Sequence, residues 1–175
     1  RAGARRILLT LQTLGYVESD GRWFRLTPRI LDLGYAYLSS MPMWDLAQPV
    51  MERLSEQTGE SCSVAVLDGS DIVYVMRVYT HKIVSLNLSV GTRLPAYCTS
   101  MGRLLLSALP EEEALARLRA APLPARTRQT CTEVDAVMAR VRQVRQQGWA
   151  MVNEELEEGL ISLAAPVRDR QGRVI

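Results

Sequence analysis

The 175-residue sequence is poor in the side chains on which most enzymes and metalloproteins depend. It holds one histidine, His81, which argues against a His-dependent catalytic triad and against a multi-histidine metal site. Three cysteines, Cys62, Cys98 and Cys131, lie far apart with no CxxC spacing, and so read as free thiols of a reducing compartment. Neither G-x-G-x-x-G nor a P-loop occurs. Acidic neighbours such as Glu154-Glu155 and Glu157-Glu158 are adjacent, and adjacent residues of a strand point to opposite faces, which makes them poor acid–base pairs. No apolar run reaches the roughly 20 residues that span a bilayer, and no signal peptide precedes the first element. These absences predict a cytoplasmic protein that binds rather than catalyses, without metal, cofactor or membrane partner.

What is present is a hydrophobic content of 47%, enough for a packed core, in a length that suits one domain plus a small attachment. The net charge of +2 is unevenly spread. Residues 1–30 hold Arg1, Arg5, Arg6, Arg22, Arg25 and Arg29 against Glu18 and Asp20, a net +4, and the remainder is −2. A basic head on a mildly acidic body is the asymmetry expected where one end meets phosphate; a solvated basic face would look the same.

Ala4, Leu8, Leu11 and Leu14 form one apolar helical stripe, with Arg1, Arg5 and Arg6 mostly off it and Gly15 in the C′ role. Tyr16-Val17-Glu18, a Ser19-Asp20-Gly21 turn and residues 22–26 then predict a hairpin. A helix followed by a basic two-stranded hairpin is the second half of a winged helix-turn-helix, in which the helix enters the major groove. On this reading the chain begins at or within the recognition helix. Residues 28–40 predict a helix with a broad apolar surface, and residues 44–58 a second with Leu46, Val50, Met51 and Leu54 inward. After Gly59 the period becomes two: strands over 61–67, 72–79 and 83–90, helices over 99–109, 110–120 and 133–147, and strands over 149–155 and 160–167. Antiparallel strands interleaved with helices indicate an α+β sheet covered by helices, and the last strand looks interrupted at Ile175.

The run VGTRLPAYCTSMGRLLL, residues 90–106, carries the chemistry. A turn at Leu94-Pro95 and a Thr99-Ser100 cap open an apolar helix, whose first N–H groups lack partners inside it. With the helix dipole this is an anion site, and Arg93 and Arg103 flank it. A capped core helix behind a surface loop would satisfy the same residues. Cys98 has no base or second thiol nearby in sequence and reads as a buried structural thiol.

LGYVESDGRWFRLTPRILDLGYAYL, TGESCSVAVLDGSDIVYVMRV, VGTRLPAYCTSMGRLLLSALP and QGWAMVNEELEEGLISLAAPV, in that order, resemble the IclR (isocitrate lyase regulator) family of bacterial transcription factors. Within it, SLNLSVGTRLPAYCTSMGR most resembles regulators responsive to protocatechuate or para-hydroxybenzoate. The resemblance implies a winged helix-turn-helix ending near residue 27, a linker helix over 28–42 and a GAF-like effector domain over 43–175. It implies binding to an operator in double-stranded DNA as a homodimer or tetramer, with Arg1, Arg5, Arg6, Arg22 and Arg25 on DNA. It also implies an effector pocket lined by Ala96, Tyr97, Cys98, Thr99, Ser100, Met101 and Gly102. Asn87 and Leu88 would form one wall, and Asn153, Glu154, Ser162 and Ala164 the others. A phenolic acid would place its carboxylate on the Ser100–Gly102 N–H groups with Arg93 or Arg77, its ring against Met101, Leu88 and Tyr97, and its hydroxyls on Asn87, Thr99, Glu154 or Ser162. The alternatives are a short aliphatic acid such as glyoxylate or pyruvate, or a ligand-binding module without DNA.

Overall fold

The computed structural model describes residues 2–40, 43–80 and 88–175. The expected contacts of Arg1 and Asn87, and most of the strand expected over 83–90, lie outside the described residues. The chain divides into two compact units, Arg1–Val50 and Met51–Ile175.

In the first unit, helix α1 (Ala2–Thr13) leads into strands β1 (Val17–Ser19) and β2 (Phe24–Leu26), which pair antiparallel with Val17 opposite Leu26. Gly15 ends α1 at φ +79°, with the Tyr16 N–H returning to the Leu11 carbonyl, a turn an L side chain strains to adopt. Asp20 shapes the hairpin: its carboxylate accepts from the Arg22 and Trp23 N–H groups at 2.9 and 2.8 Å, and these bonds hold it below the usual carboxylate range. Leu8 and Leu11 are half-buried, whereas Ala4 and Leu14 are exposed, so only the middle of the expected stripe packs. Helix α2 (Ile30–Ser39) begins two residues after the expected Pro28, and all its residues but Ile30 and Leu38 are exposed.

Helix α3 (Met43–Thr58) corrects the sequence reading. Met51 and Ser55 are buried, while Leu46, Val50 and Leu54 form a neighbouring, exposed i, i+4, i+8 stripe. The two stripes are apolar enough to be confused, and tertiary contacts choose between them.

In the second unit, strands β3 (Cys62–Asp68) and β4 (Asp71–Val78) form a hairpin turned at Gly69, with a register shift between Val64 and Ala65. The next turn lies at residues 89–92 rather than at Leu94-Pro95. Arg93–Pro95 is strand β5, paired with β4 with Pro95 opposite Asp71. Proline is tolerated at the end of a short strand because no ladder N–H is demanded of it there. A 3-10 turn, Ala96–Cys98, leads to helix α4 (Ser100–Ala108), followed by α5 (Glu111–Arg119), α6 (Val134–Gln147) and a second hairpin of β6 (Ala150–Asn153) and β7 (Ile161–Ala164). One core cluster joins Ala65, Ile72 and Tyr74 of the sheet to Tyr97, Cys98 and Leu106 and to Val137, Met138 and Val141 of α6. A smaller one joins Leu104, Val144, Ala150 and Ala164. The α4 helix lies between the two. Among the described residues no helix is long and apolar enough to cross a membrane.

Candidate functional site

The start of α4 is built around Thr99. Its extended backbone (φ −123°, ψ 146°) ends the 3-10 turn. Its hydroxyl accepts the Gly102 N–H at 3.2 Å and donates to the Pro95 carbonyl at 2.9 Å, while its carbonyl receives the Arg103 N–H at 3.0 Å. That leaves the N–H groups of Ser100 and Met101 without an acceptor among the described residues, at a helix start where Ser100 is almost fully buried. Met101 is half-buried and packs against both core clusters. Gly102 is there for packing: a Cβ would lie 2.3 Å from the Ala96 Cα and carbonyl oxygen and 2.5 Å from the Thr99 hydroxyl.

The β6–β7 hairpin supplies a wall. Ala150 faces Ala164 and Val152 faces Ser162 across the ladder. Ala150, Val152 and Ala164 are buried and Ser162 half-buried, so this face of the hairpin is the one turned inward, where Ala150 and Ala164 meet Leu104 and Met101 of α4. Met151, Asn153, Ile161 and Leu163 alternate onto the exposed face. Ser162 and Ala164 thus share a surface with α4, and Asn153 does not.

The charges expected at an anion site have other partners. Arg93 is exposed, and its guanidinium is held by Asp68 at 2.6 Å and Asp71 at 3.4 Å. Arg103 is 2% exposed and grips the equally buried Glu155 with both terminal nitrogens, at 2.7 and 2.6 Å. Glu155 also receives Arg140 and the Cys131 N–H. The sequence reading passed over Glu155 as one of two adjacent carboxylates. The available clue was Arg103 itself, one charge inside the apolar run Met101–Leu106, which needs a buried partner.

Other expected contacts are also accounted for. Tyr97 is buried in the larger core cluster and donates its hydroxyl to the Pro124 carbonyl. Burial pushes the Tyr97 phenol and the Cys98 thiol up from their ordinary values, and Cys98 is an inert core thiol. The Thr99 hydroxyl is spent on capping and the Gly102 N–H on Thr99. Glu154 adopts φ +55° and accepts the Gly159 N–H at 3.0 Å, closing its own turn. Leu88 packs against the larger cluster, and its carbonyl accepts the Tyr79 hydroxyl at 3.0 Å. Arg77 lies over Tyr74 and Tyr79, at 5.9 and 5.1 Å, and donates to Ser63 at 3.0 Å. Its buried Nε has no acceptor among the described residues. Of the basic head, Arg5 and Arg6 are exposed on α1, Arg22 stacks on Trp23 at 5.5 Å, and Arg25 pairs with Glu18 at 2.7 Å.

Two cavities flank α4 without including Ser100, Met101 or Gly102. One, of about 320 Å³, lies beside Tyr97, Leu118 and Leu123; the other, of about 420 Å³, lies beside Leu104, Val144 and Pro166. Among the described residues no cluster of three His, Cys, Asp or Glu side chains could hold a metal ion.

A helix-covered antiparallel sheet with a buried, capped helix start defines an α+β domain. Residues 35–175 match the model of the bacterial transcriptional regulator IclR C-terminal family, and the chain belongs to that family. It is 48% identical over its full length to the Pca regulon regulatory protein of Pseudomonas putida, covering 60% of that protein. It is 37% identical to the p-hydroxybenzoate hydroxylase transcriptional activator of Acinetobacter baylyi, covering 66% of it. The chain therefore spans less than two thirds of these relatives. The structure superposes with a TM-score of 0.70 on the 3-hydroxybenzoic acid complex of a double mutant of the PobR transcription factor inducer-binding domain from Acinetobacter. That match is 34% identical and covers 75% of this chain and 77% of that one.

Proposed function

We propose that this chain is part of a DNA-binding transcriptional regulator controlled by a small aromatic carboxylic acid, with protocatechuate and para-hydroxybenzoate the first candidates. It acts by binding, not catalysis. The observation that carries the reading is the start of α4, where the Ser100 and Met101 N–H groups are unclaimed among the described residues and Met101 borders the Ser162 face of the β6–β7 hairpin. Charge-assisted bonds from such donors contribute roughly 1.5–3 kcal/mol each. Of the cations expected there, Arg77 is the one that keeps an unclaimed buried donor, and Tyr79, on which it stacks, reaches Leu88. The names of the relatives support an aromatic acid over an aliphatic one.

A ligand present at 100 times its dissociation constant adds about 2.7 kcal/mol of stability, a thermal shift of several degrees for this size. Calorimetry and thermal-shift measurements are expected to show binding of hydroxybenzoates and not of glyoxylate or pyruvate. Ser100→Pro is expected to abolish it, because proline fits the first helical position after an extended Thr99 but removes one donor. Binding of the aliphatic acids alone transfers the site to that class; binding of neither removes the site.

In this reading residues 1–27 belong to a winged helix-turn-helix, 28–42 to a linker helix and 43–175 to a GAF-like effector domain. Of the exposed Arg5, Arg6, Arg22 and Arg25 of the helix and wing, Arg25 is paired with Glu18, which leaves Arg5, Arg6 and Arg22 as three cations for phosphate. In the complete regulator, replacing all three with alanine is expected to weaken operator binding and to lower the log–log salt slope by about 0.9 per lost phosphate contact. An unchanged slope refutes the assignment. The exposed Leu31 and Tyr35 on one side of α2, and Leu33 and Tyr37 on the other, leave apolar surface suited to a second copy. Sedimentation of the regulator is expected to give a dimer or tetramer at micromolar concentration, and a monomer would remove that reading.

A further inference from the structure

The buried pair Arg103–Glu155 contributes nothing to the binding chemistry above, yet it ties together the segments that frame the site. The Arg103 Nε donates to the Tyr97 carbonyl at 2.9 Å, in the turn that delivers Thr99 and Ser100. Its two terminal nitrogens grip the two Glu155 oxygens at 2.7 and 2.6 Å. Glu155 lies two residues beyond the β6 end of the hairpin that carries Ser162, and its carbonyl and that of Glu154 accept the Thr130 and Thr127 hydroxyls, each at 2.6 Å. A guanidinium is planar, so three bonds from one fork fix direction as well as distance. The Tyr97 carbonyl, the α4 start and the exit of β6 are thereby set in one frame.

We propose that Arg103 and Glu155 are positioning residues for the acid site. The fork holds the Ala96–Cys98 turn and the hairpin wall at the separation the ligand requires, without touching the ligand. This inference rests on the reading of the α4 start as the effector site. A pair that served only cohesion would change stability and leave affinity alone. A positioning pair changes affinity even where stability is kept.

The two can be separated because a buried ion pair replaced by apolar side chains of similar size is often neutral or stabilising, whereas removal of one partner strands a charge. In Arg103→Met/Glu155→Leu both buried charges go together. Arg140, whose side chain is half exposed, can return to solvent. The double variant gives up the bonds to the Tyr97 carbonyl and the Cys131 N–H as well. It is therefore expected to unfold a few degrees below the unaltered chain but well above Glu155→Ala, and to bind protocatechuate, measured by calorimetry, about tenfold more weakly. That factor follows if the competent arrangement falls to about a tenth of the molecules. Amide exchange at residues 97–101 is expected to quicken without global unfolding. Arg103→Lys covers the case in which the double variant does not fold. The lysine ammonium can serve the carboxylate but not both it and the Tyr97 carbonyl in the fork geometry, so this variant should fold and bind several-fold more weakly. If either folded variant binds protocatechuate with unaltered affinity, the inference is overturned. If the unaltered chain binds neither protocatechuate nor para-hydroxybenzoate, the acid-site reading itself fails and this inference falls with it.

Discussion

Glu155→Ala is expected to lower the unfolding free energy by about 3–5 kcal/mol, the range for leaving a buried charge without its partner. The carboxylate is 3% exposed and receives Arg103, Arg140 and the Cys131 N–H. Arg140 can turn to water, but Arg103 cannot, because its side chain is also 3% exposed. For a domain of this size the loss corresponds to a fall of about 10 °C in melting temperature. Calorimetry reads it directly, and urea melts should show a lower midpoint at an unchanged slope. The pair Arg142–Glu111 is an internal control. It is as short, at 2.5 Å, but both side chains are about half exposed, and Arg142 holds the Glu111 carboxyl below its usual range. Water and salt screen such a pair, so Glu111→Ala should leave the melting temperature nearly unchanged. Equal effects of the two substitutions would contradict the assignment of the Glu155 network as buried and essential.

Gly102→Ala is expected to cost about 3 kcal/mol, at the upper end of overpacking, although alanine is the better helix former. The atoms in the way are the backbone of Ala96 at 2.3 Å and the capping hydroxyl of Thr99 at 2.5 Å. Neither is the far end of a flexible side chain. The 3-10 turn would have to move off the helix, breaking the cap and disturbing the Ser100 and Met101 donors together. Thermal denaturation should show the loss, and the variant should bind hydroxybenzoates more weakly than the unaltered chain. A stable Gly102→Ala protein would mean that the close approach of Ala96 to α4 is not kept in solution.

The sequence was most legible where the cause is local. Asp20-Gly21 between two β-rich runs announced the first hairpin, Asp68-Gly69 the second, and Gly148 the end of α6; each acts through the dihedral preferences of a few neighbouring residues. The Thr99 cap was legible for the same reason. Reading became unreliable where distant residues decide. Pro95 looked like a turn because a proline usually ends pairing, yet it closes a strand whose partner, Asp71, is far off in sequence. The apolar stripes of α3 are equivalent by spacing, and only packing singles out Met51. Arg93 was expected at a ligand because nothing in its neighbourhood reveals Asp68 and Asp71 waiting in the folded sheet. Arg103 and Glu155, separated by 51 intervening residues by the spacing of their hydrogen bond, had to be found in three dimensions.

Arg103 and Glu155 also restrict how this sequence can drift. Changes at well-separated sites combine nearly independently, whereas partners in one buried network do not. Either residue lost alone crosses a fitness valley of several kcal/mol, while both lost together can leave the fold standing. Descendants of this sequence are therefore expected to keep the two positions as a linked pair, changing them jointly or not at all, even while the exposed arginines around them turn over freely.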